Sequence, residues 1–114
     1  MVQFALQAAD ELSKEGLEVE VIDPRCYSPL DEETILESVA RTGYLVIVDE
    51  SYPRCNLATD IAALVADKGF DSLKGPIKRL TAPHTPVPFS PPMEDFYLPS
   101  SEKISETVRL LLKV

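Results

Sequence analysis

The chain has 114 residues, 45% of them hydrophobic, which is enough for one domain with its own core and too few for two. Eleven Lys and Arg stand against 19 Asp and Glu, a formal charge of −8 that disfavours nucleic acid and anionic membranes and suits a basic protein partner. The only cysteines, Cys26 and Cys55, form no CxxC pair, and His84 is the sole histidine, so neither a disulfide framework nor a zinc site is encoded and a reducing cytosol fits.

In chain order, Val2, Ala5, Leu6, Ala9 and Leu12 recur at helical spacing, and Gly16 supplies a left-handed stop, so residues 2–15 are expected as an amphipathic helix. LEVEVID, residues 17–23, alternates Leu17, Val19 and Val21 with glutamates and ends at Pro24, the pattern of a short strand with one polar face. Asp31 then caps a second helix, with Glu32 and Glu33 in its positive first turn and Arg41 and Gly43 at its end. YLVIVD, residues 44–49, is a continuous apolar run expected as a central strand covered on both faces. Asn56 caps a third helix carrying Leu57, Ile61, Leu64 and Val65. Residues 77–81 form a further short strand, and Ser100 or Ser101 caps a last helix striped by Ile104, Val108, Leu111 and Leu112.

Helices alternating with strands imply a three-layer α/β/α domain spanning 1–114 with a largely parallel sheet, because parallel neighbours need helical crossovers. Three parallel strands make a thin sheet, and a helix opens the chain. A strand ahead of it is therefore expected to be missing, as in a fragment of a longer protein. Such a fragment would expose an unpaired sheet edge and apolar surface, so a dimer or higher oligomer is expected in isolation.

Residues 82–99 are a second kind of signal. Six of the ten prolines fall between Pro83 and Pro99, yet Val87, Phe89, Met93, Phe96, Tyr97 and Leu98 make the segment too apolar for a solvated linker. It is expected as a stiff extended strap that docks its apolar side chains on a neighbouring surface. Glu94 and Asp95 beside two aromatics suit a basic protein surface or a turn facing water.

Catalytic chemistry finds little support. The loop after the expected central strand holds Asp49, Glu50, Arg54 and Cys55, at the strand end where open α/β sheets bind ligands. No base pairs with Cys55 by sequence, so it reads as a small buried residue before a helix rather than a nucleophile. Adjacent Asp49 and Glu50 point to opposite faces of a strand. Arg54 reads as an ion-pair partner within the loop or across an interface, and His84 as a packing or hydrogen-bonding residue. The four glycines form no phosphate-binding pattern, so cofactor-binding, metal and catalytic residues are all expected to be absent.

The PLDEETI helix start, the VDES and PRC loop, and the TPVPFSP strap running on to YLPS together resemble the C-terminal domain of the beta subunit of thiamine-diphosphate-dependent 2-oxo acid dehydrogenases, which is transketolase C-terminal-like. PRCNLATDIAALVADK and LTAPHTPVPFS are most similar to the acetoin dehydrogenase branch. The pyruvate and branched-chain branches more often carry glycines where Asn56 and Ala58 stand.

The resemblance implies an alpha2beta2 oxidoreductase with thiamine diphosphate and magnesium held between the alpha subunit and the other domain of beta. It also implies a lipoyl-bearing acyltransferase core as partner, and a fold that begins with a strand. It casts this domain as inactive alone, joining beta to its twofold mate and docking the core. On that reading Phe89, Phe96 and Tyr97 anchor the interface, Arg54 pairs across or beside it, and Glu94 with Asp95 face a partner. A C-terminal domain of a transketolase or deoxyxylulose-phosphate synthase would share the fold, though the strap matches it poorly. A free-standing acidic interaction module is the other alternative.

Overall fold

The computed structural model describes residues 1–114. Its elements run α1 (Val2–Lys14), α2 (Glu32–Thr42), β1 (Val46–Val48), α3 (Leu57–Lys68), a short 3-10 turn at Phe70–Ser72, β2 (Lys78–Leu80), α4 (Pro91–Tyr97) and α5 (Ser101–Leu112). β1 and β2 pair in parallel, with Val46 opposite Lys78, Ile47 opposite Arg79 and Val48 opposite Leu80. α3 packs on β1 with α2 beside it, while α5 packs on both strands with α1 beside it, which gives three layers.

Local chemistry sets the helix ends. Asp31 Oδ1 accepts from the Thr34 amide at 3.1 Å, Asn56 Oδ1 from Thr59 at 2.9 Å and Ser100 Oγ from Lys103 at 3.3 Å, each satisfying a first-turn N–H that the helix cannot. Gly43 closes α2 at φ 83°, its N–H donating to the Val39 carbonyl at 2.8 Å. Its positive φ is what calls for glycine; an added Cβ would also lie 2.6 Å from the Lys74 side chain, which is exposed and free to move aside.

The core has two halves, one on each side of the sheet. Ile35 and Val39 of α2, Ile47 of β1, and Ala58, Ile61 and Val65 of α3 form one buried cluster. Ala8 and Leu12 of α1 meet Ile104, Val108 and Leu111 of α5 in the other. Full burial of an aliphatic side chain such as Leu12 contributes roughly 1.5–3 kcal/mol. Ion pairs link the helices at the surface: Arg109 to Glu15 across α1 and α5, Lys68 to Glu32 across α2 and α3.

Three expectations change. Residues 17–23 do not form a strand: residues 18–23 make no backbone–backbone hydrogen bond, and a strand exists only where a neighbour supplies its ladder. β1 is consequently an edge rather than a central strand, with β2 as its single partner and Val46 and Val48 half-buried. In α1 the inward stripe runs through Ala8 and Leu12, and Leu6 turns outward.

Candidate interface

The strap begins where the sheet ends. Asp49 N–H donates to the Leu80 carbonyl at 3.0 Å and Ala82 N–H to the Ser51 carbonyl at 3.2 Å, so the ladder of β1 and β2 carries on into the loop and the strap together. The loop is braced from below by Arg79 of β2, whose Nη1 donates to the Pro53 carbonyl at 2.8 Å and to Thr59 Oγ1 at 2.9 Å. Asn56, besides capping α3, donates Nδ2 to the Tyr52 carbonyl. Tyr52 in turn stacks on His84 with ring centroids 5.7 Å apart, a packing contact that ties loop to strap.

The strap is not extended throughout. Residues 81–90 have no regular structure, but Pro91–Tyr97 coil into α4. Prolines that read as helix breakers occupy its first positions, where a missing N–H costs nothing and φ is already helical. Tyr97 points inward, 6% exposed, and its hydroxyl donates to the Thr85 carbonyl at 3.1 Å. Burial, with the Tyr52 phenol adding to it, raises the Tyr97 hydroxyl above the ordinary tyrosine range. Lys103 of α5 donates to the carbonyls of Phe96 and Leu98 at 2.5 and 2.8 Å, placing a cation at the negative end of α4. Its ammonium also lies 5.1 Å from the Phe96 ring centroid.

What remains on the outer side is apolar. Phe89 is 101% exposed, Phe96 80%, Met93 62% and Val87 58%, all within ten residues on a segment held from beneath. Glu94 and Asp95 are exposed beside them and join no ion pair within the chain.

The structure therefore divides the sequence-chosen residues. Phe89, Phe96, Glu94 and Asp95 are each exposed on the strap; Tyr97 faces its own domain. Arg54 is exposed and makes no ion pair in the loop; it is Arg79, which the sequence did not single out, that donates to the Pro53 carbonyl there. Cys55 is exposed rather than buried. It stands in the left-handed region at φ 51°, where the chain turns sharply into α3, and its thiol has no hydrogen-bond partner. Asp49 Oδ1 accepts from the Ser51 amide at 2.9 Å, a local turn contact.

Residues 1–104 match the family model described as "Transketolase, C-terminal domain". The subunit beta of acetoin:2,6-dichlorophenolindophenol oxidoreductase from Bacillus subtilis (strain 168) is 63% identical over 96% of this chain and 32% of its own length. The protein of that name from Cupriavidus necator is 55% identical over 99% of the chain and 33% of its own length. The pyruvate dehydrogenase E1 component subunit beta of Bacillus subtilis is 41% identical over 99% of the chain and 34% of its own length. A solved structure described as "Split gene transketolase, inactive beta4 tetramer" superposes with a TM-score of 0.78, at 24% identity, over 98% of this chain and 35% of that one, and speaks for the fold. The chain thus spans about a third of the length of these relatives. By the match over residues 1–104 it belongs to the transketolase C-terminal domain family.

Proposed function

We propose that residues 1–114 act as the C-terminal assembly domain of the beta subunit of a thiamine-diphosphate-dependent dehydrogenase, of the acetoin type. The carrying observation is the exposure of Phe89, Phe96, Met93 and Val87 on a segment whose inner side is already fixed by Tyr97 and Lys103. Side chains of that size left in water on a braced support suit a surface meant for burial against protein. The occupant proposed is the second beta subunit, through an obligate interface that commonly covers ~2,000 Å² or more. Glu94 and Asp95 on its rim would face the basic binding domain of a lipoyl acyltransferase core, with Arg54 beside the interface.

No catalytic step is assigned to this chain. The glycines serve loops and helix ends rather than a diphosphate cradle. The proposed contribution is to hold pockets built elsewhere in the alpha2beta2 oxidoreductase at their spacing.

The test is made in the complete beta subunit produced together with alpha. Phe89→Ala with Phe96→Ala is expected to shift the tetramer toward alpha-beta halves in sedimentation. Glu94→Gln with Asp95→Asn is expected to leave the tetramer intact and weaken core binding at low salt only, since exposed charges are screened at high salt. An intact tetramer with unchanged core binding after all four substitutions would overturn the reading.

A further inference from the structure

β2 has an outer edge, on the side away from β1. Lys78 N–H donates to the Leu45 carbonyl at 3.0 Å, the Leu80 carbonyl accepts from Asp49 at 3.0 Å, and Ala82 N–H donates to the Ser51 carbonyl at 3.2 Å. Residues 78, 80 and 82 therefore turn their main chain toward β1 and the loop that follows it. Parallel pairing uses alternate residues, so Ile77, Arg79 and Thr81 turn theirs outward, and none of their N–H or C=O groups meets another main-chain group. Pro76 and Pro83 bound the stretch, and every residue between them keeps its N–H.

The unpaired cations of the chain gather on this edge. Of its eleven Lys and Arg, five are held in ion pairs, and Lys103 is turned to the carbonyls of Phe96 and Leu98. Lys74, Lys78 and Arg79, which lead into β2 or lie on it, are exposed and have no carboxylate partner. They reverse the sign locally in a chain whose formal charge is −8.

Arg79 is also held in place. Its Nη1 is engaged by the Pro53 carbonyl and Thr59 Oγ1 at 2.8 and 2.9 Å, which orients the guanidinium and leaves Nε and Nη2 to a ligand. Ile77 packs against the α2–α3 core on that same face of the sheet, while Lys78 stands on the opposite face.

We propose that the outer edge of β2 is a docking edge for an acidic, extended segment of another protein, added to the sheet as a further strand. Main-chain donors and acceptors at every second residue are met by a strand, whose six residues extend roughly 20 Å and so reach from Ile77 to Thr81. Two neighbouring carboxylates in that strand, one on each face, stand opposite Arg79 and Lys78, and β-branched residues beside them suit Ile77 and Leu80. A second copy of this chain is a poor occupant, because antiparallel pairing about this stretch sets Lys78 and Arg79 against their own kind. The proposal rests on β2 and not on the strap, so it stands or falls apart from the assembly reading.

The experiment titrates the 114-residue chain into a fluorescein-labelled peptide with a central Glu–Glu pair between Val and Thr residues, and follows amide exchange in the complex. Saturable binding is expected, with protection of the Ile77, Arg79 and Thr81 amides rising about tenfold or more, as for donors newly paired. N-methylation of one alternate set of peptide amides should weaken binding about tenfold while methylation of the other set changes little, since only one set faces β2. Replacing Glu–Glu by Gln–Gln in the peptide, or Lys78→Glu in the chain, should weaken it about fivefold or more at low salt. Lys78 is exposed and unpaired, and the other changes are on the peptide, so the fold is left intact. Absence of saturable binding overturns the proposal. So does binding that leaves those amides unprotected, as a polyanion held by charge alone would give, an affinity indifferent to the Glu–Glu pair, or protection that rises with chain concentration without peptide.

Discussion

Two stretches of this molecule lie outside the sheet, the strap that ends in α4 and the extended residues 18–23, and they solve the problem of their backbone in opposite ways. In the strap, Pro83, Pro86, Pro88, Pro91, Pro92 and Pro99 have no N–H to satisfy, α4 pairs part of the rest internally, and Tyr97, Lys103, His84 and the Ala82 amide tie it to the domain. Residues 18–23 contain no proline, so six N–H groups face the absence of any main-chain partner, and the segment is tied through carboxylates instead: Glu18 accepts from Ser13 Oγ at 3.0 Å, and Glu20 from Ser38 Oγ at 2.9 Å and Arg41 at 2.5 Å. Proline makes an extended segment self-sufficient; alternating valine and glutamate make one that waits for a neighbour.

The largest expected effect separates what supports these stretches from what they display. Leu12 is fully buried and its carbonyl receives the Leu17 amide where the unpaired segment begins. Leu12→Ala is expected to lower unfolding free energy by roughly 3 kcal/mol in urea titration, the usual cost of a large-to-small core change. Phe89→Ala, at a side chain wholly in water, should alter it by less than about 0.5 kcal/mol. A comparable loss at Phe89 would mean that the strap's outer face is covered within the monomer.

Next in size is the response of the strap to losing its inward anchor. Tyr97→Ala is expected to open residues 81–100 to limited proteolysis, whereas Tyr97→Phe, which keeps the ring and removes only the bond to Thr85, should open them much less. Equal cleavage of the two variants would assign the anchoring to the hydroxyl rather than to burial of the ring.

The contrast also explains what the sequence could and could not disclose. Asp31, Asn56, Ser100 and Gly43 were readable as helix ends because a cap is decided within three or four residues. The 17–23 pattern was readable as a strand-former but not as a strand, since a ladder depends on a partner that no local window contains. α4 was hidden because Pro91 and Pro92 look the same whether they break a helix or begin one. The outward aromatics were legible from their density in a proline-rich run, whereas Arg79 was not: its partner Pro53 lies 26 residues away, brought near only by the parallel pairing of β1 and β2.

Amide exchange tests the comparison at finer scale. The N–H groups of residues 19–22 are expected to exchange with little protection, while those of Asp49, Ala82 and Leu98, each bonded to a carbonyl, exchange more slowly. Matching rates would mean that the extended segment pairs with something in solution, and a dependence on chain concentration would identify it as another copy.

The smallest effect is expected from pH, and here the two stretches should respond at opposite ends of the scale. Glu20 is held below the ordinary carboxylate range, first by its bond with Arg41 and then by Ser38. Its contribution is present above the unfolded value of about 4.3 and is lost as pH falls through the lower folded value, so acid should release the segment from α2. Tyr97 is shifted the other way. Burial raises it, so its contribution is intact below the ordinary tyrosine value of about 10 and is lost as pH rises through the higher folded value. Acid should therefore raise exchange and cleavage around residues 17–23 before the strap, and alkali should loosen residues 81–100 first. Glu20→Gln should remove the acid response specific to the segment and leave the alkaline response of the strap unchanged. If both stretches loosen together at each extreme, they belong to one cooperative unit and the distinction between a self-sufficient strap and a waiting segment fails.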